Sequence, residues 1–210
     1  YDLLSVTGSS PTDILPQRID NSAYYSHKWT IGESEITTDL AYAFGGTPGN
    51  FSTGSQKELG VFYHLHNLDL AVAVNHSTFM PVAPPSSGNY SNLDEKTLNA
   101  NHFTVGGSYV IGPIQVALGY VLQQIDPANA LNMPLGKYKH HMFLSNIVYT
   151  ITPAFSMALS YYRHQLNAEN TSAASIPRDG RADLFALLAD YKFSQRTDVY
   201  AQYDYSHTGK

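Results

Sequence analysis

The chain has 210 residues, of which 43% are hydrophobic and only 14% are charged, and its formal net charge is −5. Ordinary soluble domains carry about 25% charged residues, so the composition is unusual for a protein whose whole exterior meets water. An acidic balance without a basic run argues against nucleic-acid binding, because phosphate contacts need clustered Lys and Arg. The absence of cysteine excludes disulfides and thiolate metal sites.

The first residues do not follow a regular period. Residues 1–17 contain two prolines and predict an irregular segment. Alternation of apolar and polar side chains begins at Arg18, and this period of two is typical of a strand with one apolar and one polar face. A weak strand is predicted over 18–27, a turn over 28–34, and a clear strand over 35–45.

The same unit recurs along the chain, with no helical period between its copies. It predicts about ten antiparallel strands of roughly 8 to 11 residues, which span 18–207 within a single domain, 1–210. The short turns are predicted near 29–33, 65–67, 111–113, 151–153 and 194–197. The long loops are predicted at 45–56, 77–101, 124–140 and 166–182.

Regular alternation of short turns and long loops along the chain is typical of outer-membrane barrels. The pattern is clearest over 184–207, where two alternating runs flank a polar turn. We therefore predict an all-β fold, an antiparallel transmembrane β-barrel. A soluble β-barrel carrier stays open as an alternative, because alternation does not tell which face points inward.

Tyrosine is abundant, with 16 Tyr against 9 Phe and 1 Trp. A phenol ring with a polar tip suits the boundary between lipid and water, and many of the tyrosines fall near predicted strand ends. The predicted lipid-facing aromatic girdle contains Tyr42, Tyr109, Tyr120, Tyr161, Tyr191 and Tyr203.

Catalytic and metal-binding motifs are weak throughout the chain. The closest histidine sets are His140-His141 and His64-x-His66, and spacing places no third metal ligand beside either. There is no GxSxG elbow and no glycine-rich phosphate loop. We predict no catalytic residues, no enzyme activity, no cofactor and no bound metal.

The segment ADYKFSQRTDVYAQYDYSH resembles the penultimate hairpin of the general diffusion porins of Gram-negative bacteria, especially the β-proteobacterial type, in which a run like ADYxLSKRTDVYxxxxYxH recurs. Further pieces match in order: QRIDNSAYYS, GGSYVIGPIQVALGY and VYTITPAFSMALSYY. The resemblance covers most of the predicted strands. It implies a trimeric 16-stranded barrel with a loop folded into the pore after the fifth strand.

Aligned in this way, the chain starts at the inward constriction loop, 1–17, and supplies the sixth to the fifteenth strands, without the first five and the last. The resemblance implies that Asp13 is the main acid of the pore constriction, with Asp2 second, and that Arg18 is a basic wall residue. Strand parity predicts that Arg18, Asp20 and Asp39 point inward.

The implied function is a water-filled channel of the bacterial outer membrane, for passive diffusion of small hydrophilic solutes and ions. The implied partners are outer-membrane lipid, lipopolysaccharide and further copies in a homotrimer. A non-channel barrel whose long loops bind ligands or host surfaces remains an alternative, and anion or cation preference stays open.

Overall fold

The computed structural model describes residues 21–45, 52–79, 98–127, 137–169 and 179–209. They form one antiparallel sheet in which every strand pairs with its neighbours in sequence, so the order is β1 to β10. The strands are β1 (Ser22–Ile31), β2 (Ser34–Ala43), β3 (Gln56–Leu65), β4 (Leu68–Phe79), β5 (Leu98–Ile111), β6 (Ile114–Pro127), β7 (Lys137–Thr152), β8 (Phe155–Glu169), β9 (Asp179–Ser194) and β10 (Thr197–Gly209). The predicted ten-strand meander is confirmed.

The later strands are longer than predicted and reach 16 residues in β7 and β9. They extend into segments that were predicted as long loops, such as the end of β4 and the start of β5. There the pairing continues through polar residues: Thr78 Oγ1 donates to Asn99 Oδ1 at 3.2 Å. Hydrophobic alternation ends before the backbone ladder does, because alternation reports the surroundings of the side chains and not the pairing of the backbone.

The first strand lies four residues later than predicted. It spans Ser22–Ile31, and Trp29, which was predicted in a turn, lies within it opposite Ile36. The chain turns instead at Gly32, whose φ of 63° lies in the left-handed region that glycine adopts without a steric penalty.

The two faces of the sheet differ in exposure. On β9, Phe185 and Tyr191 are both 45% exposed, whereas Ala186 and Asp190 on the opposite face are 6% and 8% exposed. A curved sheet shields its concave side, so the polar face is the inner one. Leu118, at 63% exposure, lies on the outer face, opposite to the arrangement of a soluble carrier with an apolar interior.

The outer face is banded along the strands. Its middle is aliphatic, and aromatic side chains flank that middle toward both strand ends. Toward the long loops, Tyr120 and Phe143 have ring centroids 4.9 Å apart, and Tyr161 and Phe185 have centroids 4.7 Å apart. The aromatics toward the short turns are Trp29, Tyr63, Tyr109, Tyr149, Phe155, Tyr191 and Phe193. An apolar band between two aromatic girdles matches the cross-section of a bilayer.

Within the part of the chain that the structure describes, no helix is long and apolar enough to span a membrane.

The assignment of the faces is tested by placing a charge on either side of one strand. We expect Leu118→Lys to destabilise the folded protein by about 2–4 kcal/mol in a phospholipid bilayer, because the ammonium group would enter hydrocarbon. Ala117→Lys, one residue away on the inner face, is the matched control and should cost far less. Equilibrium unfolding in liposomes measures both changes, and a larger cost for Ala117→Lys would reverse the assignment.

Candidate functional site

The inner face of the sheet, here called the inner wall, is polar over much of its surface. Uncharged side chains bond to one another across strands: Asn146 Nδ2 donates to Ser160 Oγ at 2.7 Å, between β7 and β8. Gly106 and Gly119 also lie on this face, and a cavity of about 610 Å³ opens beside them. A Cβ on Gly106 would lie 2.9 Å from the carbonyl oxygen of Leu118, so the missing side chain lets the two strands approach closely.

A chain of hydrogen bonds crosses four strands of the inner wall near the short turns. His64 Nδ1 lies 2.6 Å from Asp69 Oδ1. Ser108 Oγ donates to Asp69 Oδ2 at 3.3 Å, and Gln115 Nε2 donates to Ser108 Oγ at 3.5 Å. Because both His64 and Asp69 are about half exposed, the chain orders these polar groups and still presents them to water.

The charged side chains of the inner wall are mostly acidic. The carboxylates are Glu35, Asp39, Glu58, Asp69, Asp190, Asp198 and Asp204. The ammonium groups on the described strands of this wall are Lys28 and Lys192. Lys28 Nζ lies 2.6 Å from Glu35 Oε2, and Lys192 is the register partner of Asp198. Acidic charge therefore remains in excess on this surface.

Of the predicted constriction residues, the structure describes only Asp39. It lies on the inner wall in β2, opposite Ser26 and Gly60, and its Oδ1 atom is buried without a hydrogen-bond partner. The other four, Asp2, Asp13, Arg18 and Asp20, lie outside the described residues. A role of this set in a constriction stays a prediction.

The six tyrosines of the predicted girdle all lie on the outer face. They are Tyr42, Tyr109, Tyr120, Tyr161, Tyr191 and Tyr203. Tyr203 is 67% exposed and lies opposite Leu187, so it borders the aliphatic band. Their contact with lipid stays a prediction.

The structure pairs two histidines that the sequence analysis left apart. His164 Nδ1 on β8 lies 3.2 Å from His140 Nε2 on β7, both on the inner wall. His141, the sequence neighbour that had been considered with His140, points to the outer face, where its Nδ1 lies 2.8 Å from Tyr120 Oη. The register of β7 on β8 creates the inner pair, and no short-range pattern reports that register.

The second histidine set of the sequence analysis also separates. His64 bonds to Asp69, whereas His66 lies in the turn and its Nε2 is 2.9 Å from Glu33 Oε2. Among the described residues, no three His, Asp or Glu side chains group closely enough to hold a metal ion.

A polar cluster interrupts the outer face at the end near the long loops. Tyr161 Oη donates to Asp183 Oδ1 at 2.6 Å, and Arg181 Nε donates to Asp183 Oδ2 at 2.7 Å. Arg163 is the register partner of Asp183. Asp183 is 7% exposed, while about half of the Arg181 side chain is exposed, so the cluster presents guanidinium groups and covers its carboxylate.

An antiparallel meander with an exposed apolar face, aromatic girdles and a shielded polar face defines an outer-membrane β-barrel protein. The family model described as Gram-negative porin matches residues 1–210. The chain therefore belongs to the Gram-negative porin family, whose members lie in the bacterial outer membrane, as the resemblance had implied.

Solved structures agree on the fold. In-vitro folded OmpT, an outer membrane protein of Vibrio cholerae, is 18% identical with a TM-score of 0.69, over 89% of this chain and 53% of that chain. The trimer form of OmpT has the same identity and TM-score, over 90% and 55%. An anion-selective porin from Comamonas acidovorans is 14% identical with a TM-score of 0.70, over 90% and 49%.

This chain thus spans about half the length of these solved structures. No curated protein matches it significantly.

Proposed function

We propose that the protein forms a passive, water-filled channel that admits small hydrophilic solutes and ions. The observation that carries this proposal is the division between the two faces of the sheet. Lipid suits the exposed apolar face and water suits the shielded polar face. Membership of the Gram-negative porin family supports the same function.

No step of this function needs a catalytic residue. Passage through a wet pore depends on its width and on the field of its fixed charges. We propose that Asp39 contributes to the charged constriction together with Asp2, Asp13, Arg18 and Asp20. The inward position of Asp39 on β2 supports its part.

We also propose that three copies assemble. A structure with a similar fold is described as the trimer form of Vibrio cholerae OmpT. The outer face of β1 is rich in exposed apolar rings, including Tyr25 and Trp29, and such a surface suits either a second copy or lipid.

Planar-bilayer recording of the full-length protein tests both proposals. We expect ohmic current steps that open and close in groups of three, because each copy of a trimer carries its own pore. Heat-denatured protein is the control and should produce no steps. A folded protein that inserts but carries no current would refute the channel and favour a barrel that acts through its loops. Steps that always occur singly would refute the trimer.

The fixed charges of the inner wall are mostly negative on the described strands. Its carboxylates outnumber its ammonium groups. Lys28 forms an ion pair with Glu35, and Lys192 lies opposite Asp198 in the strand pairing. We propose that this wall biases the pore toward cations, in contrast to the structurally similar porin that is described as anion-selective.

The contribution of one wall charge is measurable. A unit charge ~6 Å from an ion in water changes its energy by about 0.7 kcal/mol, or roughly threefold in local concentration. Asp69→Asn should therefore lower the cation-to-anion permeability ratio by about two- to threefold at low salt, as read from reversal potentials in a KCl gradient. Asp126→Asn, on the outer face, is the control. Equal changes in both variants would contradict a direct effect of the wall.

We further propose that outer-membrane lipid, including lipopolysaccharide, covers the outer face. On the described strands, the charged side chains of this face lie toward the long loops, among them Lys139, Arg163 and Arg181, and none lies beside the short turns. Guanidinium and ammonium groups bind phosphate well. The phosphates of lipopolysaccharide in the outer leaflet fit this one-sided distribution.

The double variant Lys139→Gln with Arg163→Gln should retain less lipopolysaccharide through purification than the unchanged protein, since two positive charges of the outer face are removed. A chemical assay of bound lipopolysaccharide sugar per protein measures this. Lys192→Gln, on the inner wall, should retain the normal amount. No loss in the double variant would argue against recognition by these side chains.

A further inference from the structure

Two imidazole rings face each other on the inner wall toward the long loops. His164 Nδ1 and His140 Nε2 are 3.2 Å apart, and the ring centroids are 5.2 Å apart. We propose that this pair binds a divalent transition-metal ion, such as Zn²⁺, Cu²⁺ or Ni²⁺. Imidazole is a good ligand for these metals, whereas Mg²⁺ and Ca²⁺ prefer oxygen ligands.

The separation of the two nitrogens fits two ligands of one ion. Imidazole nitrogens bind zinc at about 2.0–2.1 Å. Two such ligands lie about 2.9 Å apart when the angle at the metal is 90° and about 3.4 Å apart when it is tetrahedral. The observed 3.2 Å falls between these values, so the two nitrogens are spaced as two ligands of one ion would be once the rings turn both lone pairs toward it.

The proton balance of this exchange is simple. In the hydrogen-bonded pair, one of the two facing nitrogens carries a proton, and the lone pair of the other accepts the hydrogen bond from it. When the metal binds, that proton moves to the second nitrogen of the same ring, and both facing nitrogens then offer lone pairs. Neutral rings thus bind the ion without net loss of a proton.

The backbone holds the pair in place. β7 and β8 pair continuously around it, with His140 opposite Leu166 and His164 opposite Met142. The two histidines are therefore diagonal neighbours on one face, close enough for long side chains to meet. A site built on paired strands is preorganised and loses little entropy on binding.

On the described parts of β6, β7 and β8, the inner wall carries no Lys or Arg, and its side chains are both apolar, such as Leu166 and Met142, and polar. Gln123 on β6 stands between His140 and His102 in the register, and both ring nitrogens of His102 are buried without a hydrogen-bond partner. The sequence neighbours of His140, Lys139 and His141, point to the outer face. An arriving cation therefore meets neutral side chains on these strands.

The site has two protein ligands, because no third His, Asp or Glu joins the pair within the described residues. Both histidines are partly exposed, so water completes the coordination and the ion stays exchangeable. A site with two protein ligands and bound water suits reversible binding of the ion. Within the proposed channel, on which this part of the inference rests, an ion here would add two positive charges to the long-loop end of the wall and reduce its preference for cations.

Metal titration of the full-length protein in detergent tests the site without any current measurement. We expect Cu²⁺ to give an electron paramagnetic resonance spectrum with two coupled nitrogens, and Zn²⁺ to bind in isothermal titration calorimetry. His140→Gln and His164→Gln should each lower the affinity at least about tenfold, since even supporting residues of metal sites cost 10–100-fold. His141→Gln is the matched control, and its affinity should be unchanged. Mg²⁺ should not compete.

The proposal is overturned if the unchanged protein shows no two-nitrogen copper signal, a result that does not depend on whether any variant folds. Equal affinities of His140→Gln and the unchanged protein would overturn it as well, as would an equal loss in His141→Gln. A protein that binds metal normally but carries no current would refute the proposed channel and would not affect the proposed metal site.

Discussion

The need to pair every backbone polar group away from water governs the rest of this structure. In lipid an unpaired N–H or C=O costs several kcal/mol, so a chain that spans with strands must continue its ladder from strand to strand. The pairing of β1 with β2 runs without interruption from Ser22 and Ala43 to Ile31 and Ser34. The remaining strands extend this ladder in chain order, with short turns at one end and the longer connections at the other.

A continuous ladder gives each strand two faces, and the surroundings then decide what each face carries. Because side chains alternate with a period of two, β8 places Tyr161 on the outer face, where its ring contacts that of Phe185. It places Ser160 on the inner face, where its hydroxyl accepts a hydrogen bond from Asn146. The apolar layer is thus on the outside of the curved sheet. The hydrophobic effect that fills the core of a soluble barrel acts here at the boundary with lipid.

In the proposed channel, the inner wall acts through the electrostatic field of its fixed charges. Its carboxylates, its hydrogen-bonded chain from His64 to Gln115 and its histidine pair are polar groups held on a rigid sheet. Such groups are the basis of the proposed cation preference and of the proposed metal site. The outer cluster around Asp183 shares only the carboxylate with these groups and surrounds it with Tyr161 and Arg181.

The amino-acid sequence by itself determined the strand meander, the two faces and the membrane character, because local alternation and composition report where side chains meet lipid or water. It placed β1 too early. It also made β4 through β9 too short at their long-loop ends, since alternation fades where both faces are polar and pairing persists. It also could not pair His140 with His164. That contact, like the hydrogen bond from Tyr161 to Asp183, depends on the register of neighbouring strands, and register is a non-local property that only the tertiary structure decides.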